Sequence, residues 1–431
     1  VLDYTSAGRF EEALAVAELA IAQPAGEQTL LHYYKSWCLI RLGKTAEAQI
    51  AIATAEKEPA DYCFPNALEA IEALQCVVDF AGKAPKALYY LGNLWYDKRR
   101  YPTAIAAWER SSREDETFPT VWRNLSLAYF NKMNRPDEAV ALLEKAFRLD
   151  HTDARVLMEL DQLYKRLNRP HIERLCFLEQ HIDIVMTRDD LYLEYVTLLN
   201  QTGQYREAIR RIDQRKFHPW EGGEGKVPAQ YQLARLELAK ELINRKKYDD
   251  ALALIDECYI YPTHLGEGKL PGAQENDFNY YKAYILQQQG RPEEAHSLFV
   301  KACSGNSQPA AAMYYNDQKP DKIFYQGLAY RKLGEEEKAR SRFNQLITYG
   351  EEHLFDRFKM DYFAVSLPDL LIWEDDMDKK NRIHCNYLMA LGHLGLGNRT
   401  KAEHFFDIAA SMDNNHQGVQ IHRKLMNTIL S

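Results

Sequence analysis

The chain has 431 residues, and what it lacks narrows its function first. No run of about 18 apolar residues occurs, so the sequence offers no membrane-spanning helix. Apolar and polar residues do not alternate over any sustained stretch, which removes the signal for strands. The seven cysteines (Cys38, Cys63, Cys76, Cys176, Cys258, Cys303 and Cys385) are odd in number, scattered, and never in CxxC spacing. Most sit among apolar helical residues, where a thiol packs as a small hydrophobe; this fits a reducing compartment better than a disulfide framework. Positive charge is in deficit, with 54 Lys and Arg against 62 Asp and Glu and a net charge of −8. Nucleic acid is therefore not an expected partner. The richest basic run, Arg206 to Lys216, also carries Glu207 and Asp213, as a solvated helix face does.

Signals of catalysis are missing as well. Thirteen histidines are present, but none forms HExxH and no His/Cys set has zinc spacing. His384 with Cys385, and His416 with His422, read as parts of helices or their starts. GxSxG and the phosphate-binding GxxxxGK[ST] are absent too. We expect no catalytic residue, metal or cofactor in this chain.

What the chain does contain is a recurring pair of helices. Leu88, Leu91, Gly92 and Trp95 share one helix, and Tyr101, Ala104, Ile105 and Trp108 share the next. One unit further on, Trp122, Leu125, Tyr129, Ala139, Leu143 and Ala146 repeat the scheme. The turn between the two helices recurs as Gly8…Ala13, Gly43…Ala48, Arg99…Ala104, Asn134…Ala139, Gly203…Ala208, Lys246…Ala251, Gly290…Ala295, Gly334…Ala339 and Gly397…Ala402. Where the first residue is Gly it supplies a left-handed helix stop, and the small Ala lets the second helix approach the first. A large apolar residue follows (Trp108, Leu143, Ile255, Phe299, Phe343, Phe406) and is expected to plug the gap between helices. A period of about 34 residues with these features resembles the tetratricopeptide repeat. That resemblance implies an all-α solenoid, a right-handed superhelix of about ten helix pairs in which each unit buries its neighbour's apolar face.

Two loops interrupt the rhythm with the same words. Pro219-Trp220-Glu221-Gly222-Gly223-Glu224-Gly225-Lys226-Val227-Pro228 is answered by Pro262-Thr263-His264-Leu265-Gly266-Glu267-Gly268-Lys269-Leu270-Pro271. The offset is one repeat plus about nine residues, so the loops should stack along one edge, about 10 Å apart. Glycines flanking a Glu and followed by Lys can form a backbone nest for an anion. The Glu residues can equally accept sugar hydroxyls beside Trp220, or pair with the Lys of the neighbouring loop as a brace. The candidate contact residues are His218, Trp220, Glu221, Glu224, Lys226, His264, Glu267 and Lys269. Asn93, Arg123 and Asn124 are candidates for the groove lined by first helices, being polar with no packing role apparent from the sequence.

We divide the chain into an N-terminal array (1–217) with a shortened first repeat, a section with the twin loops (218–303), and a C-terminal section (304–431). Residues 61–81 read as an extra helix or helix pair, and residues 154–187 as a degenerate unit. Residues 304–320 form a third long loop, without Gly-Glu-Gly-Lys. An insertion at 351–380 carries the apolar run Phe363 to Trp373, and residues 416–430 read as a capping helix. Lys216 to Val227, Asp361 to Leu370 and Ile383 to Leu388 resemble the C-terminal helical half of large bacterial proteins of uncharacterised function. In those proteins an N-terminal β-sandwich, similar to galactose-mutarotase-type sugar-binding domains, precedes the repeats. The resemblance, together with the start at Val1, implies that this chain is the repeat half of a longer protein in a carbohydrate-processing setting. The expected role is a non-catalytic scaffold holding another protein or that sandwich; the alternative is a helical half that completes a sugar site through the loops.

Overall fold

The computed structural model describes residues 1–23, 28–61, 63–311, 317–357 and 372–426. Among them are 23 α-helices, one 3-10 turn and no strand. Contacts divide the chain into two units, Val1–Leu160 and Asp161–Ser431. This division follows packing and falls inside a helix, whereas the sequence boundaries at 217 and 303 follow loop insertions.

The first unit runs α1 (Leu2–Ser6), α2 (Phe10–Ile21), α3 (Thr29–Arg41), α4 (Thr45–Ala55), α5 (Glu69–Ala81), α6 (Pro85–Asp97), α7 (Tyr101–Glu114), α8 (Pro119–Met133) and α9 (Pro136–Leu149). It ends within α10 (Ala154–Arg166). The segment expected as one or two extra helices is the single helix α5, which packs on α3 and α6. Ala70, Ala73, Leu74, Val77 and Val78 are buried at helical spacing along it. Proline stands in the first turn of α6, α7, α8 and α9, where its missing N–H costs nothing. The plug is explicit between α6 and α7. Gly92 faces Trp108 so closely that a Cβ there would lie 2.2 Å from the indole nitrogen.

The second unit continues with α11 (His171–Gln180), α12 (Ile182–Val185), α13 (Asp189–Gln201), α14 (Tyr205–Asp213), α15 (Lys226–Asn244) and α16 (Tyr248–Cys258). After a 3-10 turn (Thr263–Leu265) come α17 (Asn276–Gln288), α18 (Pro292–Ala302), α19 (Pro320–Lys332), α20 (Glu336–His353), α21 (Met377–Gly395), α22 (Arg399–Met412) and α23 (Gln417–Leu425). Its plug is Phe343, fully buried between Gly327 and Gly395, both of which would clash with its ring if they carried a Cβ. Burying such a ring contributes about 2–3 kcal/mol. The third long loop is held by side-chain amides. Asn276 donates to the carbonyls of Ala302 and Ser304, and Gln326 to those of Ser304 and Asn306.

One expectation for this unit falls largely outside the described residues, and another needs amendment. Residues 358–371, which include Asp361 to Leu370 and most of the apolar run, lie outside the described residues, as do 427–431. Trp373 is buried, and its carbonyl accepts from Arg166 at 3.0 Å. The capping helix is present, but it does more than cover α22. It also meets helices of earlier pairs, α11, α14 and α15 among them, and the turn before it meets the start of the unit. Asn414 exchanges hydrogen bonds with Asn168 at 2.8 and 3.1 Å, and Asn415 Oδ1 accepts from Arg174 at 2.7 Å. The repeats of this unit therefore close on themselves. A cap is a local need of the last repeat, but closure depends on accumulated curvature, which no single repeat's sequence displays.

Candidate functional site

The twin-loop edge starts from residues at the ends of α13 and α14. Phe217 is buried against Tyr192, and Arg215 lies over both rings. Asp189, at the start of α13, accepts from Arg215 Nε at 2.7 Å, from the His218 N–H at 2.8 Å and from the His218 ring at 3.1 Å. Burial opposes its charge, but these donors outweigh burial and lower its pKa. His218 is thus tied down by its backbone while its ring stays exposed.

The two loops touch directly. The Phe217 N–H donates to the His264 carbonyl at 2.8 Å, and Gly266, with φ of +77°, passes so near that a Cβ would lie 2.8 Å from the Phe217 oxygen. The Gly225 N–H donates to Glu267 Oε2 at 2.7 Å. Gly225 has φ of +72° and is the cap residue of α15, so Glu267 places a carboxylate at that helix's N-terminus. Half-burial raises the Glu267 pKa, opposed by the Gly225 N–H and reinforced by the nearby charge of Glu224.

The loops are hydrogen-bonded to each other, but not through the Glu–Lys pairs considered from the sequence. Lys269 does not meet Glu224; it donates to the Tyr259 carbonyl at 3.1 Å and pairs with Glu275. Glu224 is exposed and accepts only weakly from its own Gly222 N–H, at 3.3 Å. Lys226 opens α15 and is exposed, yet the surrounding protein and the neighbouring Lys165 and Lys380 lower its pKa against Glu194 and Glu224. His264 is half-buried, its Nε2 3.8 Å from Asp213, which in turn holds the buried Arg235.

Trp220 folds back over Gly223, where a Cβ would lie 2.3 Å from the indole. This leaves a cavity of about 260 Å³ between the loops, walled by Trp220 and Leu265 and rimmed by His218, Glu221, Glu224 and Glu267. Lys226, His264 and Lys269 do not line it. The cavity combines an aromatic wall with three carboxylates, so it suits a group carrying hydroxyls or positive charge and repels anions. The anion nest considered from sequence is disfavoured here, because Glu267 already takes the Gly225 N–H.

In the first unit the groove candidates are engaged with one another. Asn93 Oδ1 accepts from Trp108 Nε1 at 3.2 Å and from Asn124 Nδ2 at 3.0 Å. Arg123 donates to Asn124 at 3.2 Å and makes a two-pronged pair with the fully buried Glu159, at 2.5 and 2.7 Å. Contrary to the sequence reading, these side chains do have structural partners: they link α6, α7, α8 and α10 in a polar ladder. The Glu159 carboxylate, one unit away in sequence, gave no local signal of this.

Among the described residues no group of three or more His, Cys, Asp or Glu side chains is arranged to hold a metal, and no helix is long and apolar enough to cross a membrane.

Matches to known repeat families agree with the helical architecture. Two tetratricopeptide-repeat family models match the chain, one over residues 64–120 and the other over residues 323–349. Among solved structures, YrrB, described as a TPR protein with an unusual peptide-binding site, is 15% identical, with a TM-score of 0.33, over 44% of this chain and 91% of its own. A tetratricopeptide repeat protein from Parabacteroides merdae is 16% identical, with a TM-score of 0.27, over 70% of this chain and 99% of its own. MamA is 16% identical, with a TM-score of 0.27, over 43% of this chain and 94% of its own. The chain is an all-α solenoid containing tetratricopeptide repeats.

Proposed function

We propose that this chain is a non-catalytic interaction scaffold that docks a partner protein on its twin-loop edge. The observation that carries this reading is the cavity between the loops, with Glu221 and Glu224 exposed at its rim and Trp220 forming its wall. A basic side chain of the partner would enter between the carboxylates and lie on the indole, a contact worth about 0.5–2 kcal/mol. Under the finer form of the proposal the partner is a β-sandwich domain of the same parent protein, as the sequence resemblance implies, and the setting is carbohydrate processing.

A second reading shares the cavity. Carboxylates beside an aromatic wall also suit a sugar, whose hydroxyls donate to Glu and whose ring face stacks on Trp. Here the loops would complete a sugar site carried mainly by the sandwich.

The test is binding of this chain to the separately expressed sandwich portion of its parent, measured by calorimetry for wild type, Glu224→Ala and Trp220→Ala. Docking predicts binding that weakens about two- to thirtyfold in each variant without added sugar. The shared-site reading predicts unchanged docking and loss of sugar binding only. A folded wild type that does not bind at all sinks the interdomain form.

A further inference from the structure

We propose that the partner docked on the twin-loop edge presents a carboxylate beside its basic group, and that this carboxylate enters a second, cationic cavity on the other side of His218. The inference deepens the docking reading of that edge and rests on it.

The second cavity encloses about 570 Å³. Met186 and Thr187 after α12, with Asp189 and Tyr192 at the start of α13, form one side; Arg211 to Lys216, at the end of α14 and just beyond it, form the other. His218 belongs to the lining of this cavity and to that of the loop cavity, so the two open next to each other. Their charges are opposite. The loop cavity carries Glu221, Glu224 and Glu267 and no Lys or Arg. The second carries Arg211, Arg215 and Lys216 against Asp189 alone.

Two of those four groups are already engaged with each other. Asp189 accepts from Arg215 Nε and from His218, and Arg215 also donates to the Met186 carbonyl at 3.0 Å. They form a neutral floor. The other two are left for a ligand. Lys216 is exposed and makes no ion pair among the described residues. Arg211 gives only its Nε to Glu207, at 2.7 Å, so its terminal nitrogens have no hydrogen bond among the described residues. A guanidinium edge beside an ammonium is a donor set for a carboxylate.

The pairing of cavities selects the partner. A partner with basic charge alone would bring it next to Arg211 and Lys216, a like-charge approach; a neighbouring carboxylate turns the same contact into attraction. On an extended segment, residues i and i+2 face the same way about 7 Å apart, close enough to straddle one imidazole. The partner segment is therefore extended, with Asp or Glu two residues from Lys or Arg.

The experiment titrates the full chain into two fluorescent Gly/Ser-rich peptides at physiological ionic strength, with anisotropy as readout. One has Lys-Ser-Asp-Ser-Lys at its centre, which offers the pair in both chain directions; the other has Lys-Ser-Ser-Ser-Lys. The expected result is that the Asp peptide binds about fivefold tighter or more. Non-specific attraction to a chain of net charge −8 predicts the reverse order, because the Asp peptide is the less positive one. Lys216→Ala, at an exposed and unpaired side chain, should erase the difference without weakening the Ser peptide. Trp220→Ala should weaken both peptides alike. Equal or tighter binding of the Ser peptide to wild type, or an Asp advantage that survives Lys216→Ala, overturns this inference and leaves the loop cavity as a site for a basic group. No binding of either peptide, or binding untouched by Trp220→Ala, overturns the docking reading along with it.

Discussion

Loops 219–228 and 262–271 carry the same Gly-Glu-Gly-Lys core, yet they fold differently. In the first, Gly222 and Gly225 take positive φ and the helix starts at once with Lys226, burying Val227 and Pro228 in its first turn. In the second, Gly266 takes positive φ, Gly268 does not, and the helix waits until Asn276. The words that follow explain the delay. Pro228 precedes Ala229, a helix former, whereas Pro271 precedes Gly272, whose φ of +83° closes a turn from Leu270 to Ala273. Pro then Gly at the centre of a turn is the type II pattern. The contact between loops runs one way: Glu of the second caps the helix launched by the first. A tandem motif joined head to tail always leaves its first copy's Glu with nothing to cap. Glu224 is that residue, and it is free to face outward.

The largest test of this asymmetry compares glycines. Gly266→Ala should cost about 2–3 kcal/mol, combining left-handed strain with a Cβ pressed on the Phe217 carbonyl. Gly268→Ala, which meets nothing within 4 Å and has no positive φ, should cost little. Urea unfolding followed by fluorescence would compare them, and equal losses would break the comparison. Next, Glu267→Ala should cost about 1–2 kcal/mol by removing the half-buried carboxylate from the Gly225 N–H. Amide exchange at Gly225 should quicken with it, and an unchanged amide would show that the bridge carries no weight. Smaller again, Gly272→Ala should cost about 1 kcal/mol, because Ala resists the positive φ of that turn. A neutral result in thermal melting would mean the turn re-forms without Gly.

The twin loops also mark how far sequence carries. Every helix-pair turn read from spacing is left-handed at the Gly where there is one, and the structure adds the same conformation at Arg99, Asn134 and Lys246, for which the sequence reading gave no backbone expectation. Those turns are legible because the decision is local: a stop, a small Ala and a plug within a dozen residues. The plugs Trp108, Leu143, Ile255, Phe299, Phe343 and Phe406 are all buried for the same reason. The divergence of the loops was less legible, since it hangs on one Ala-to-Gly difference beyond the shared motif. The closure of the second unit left no mark at all. Arg174, buried between Asp161, Glu194 and Asn415, draws its last partner from the far end of the chain. Periodicity describes neighbours, and Asn415 becomes a neighbour only after the whole unit has curved.

The smallest expected effect on stability is the most telling for function. Glu224→Ala removes a carboxylate whose only hydrogen bond among the described residues is a 3.3 Å contact within its own loop. Its melting temperature should match wild type within error, in contrast to Glu267→Ala, although the two residues occupy the same place in the same motif. If Glu224 instead behaves like Glu267, the head-to-tail argument fails and the first loop must have a carboxylate-binding partner of its own. If stability is unchanged while partner binding weakens, the two copies have divided the work: one Glu holds the edge together, and the other is left for what the edge binds. A matched pair of variants can make that separation because a common motif controls for sequence context, leaving only the presence or absence of a neighbouring loop.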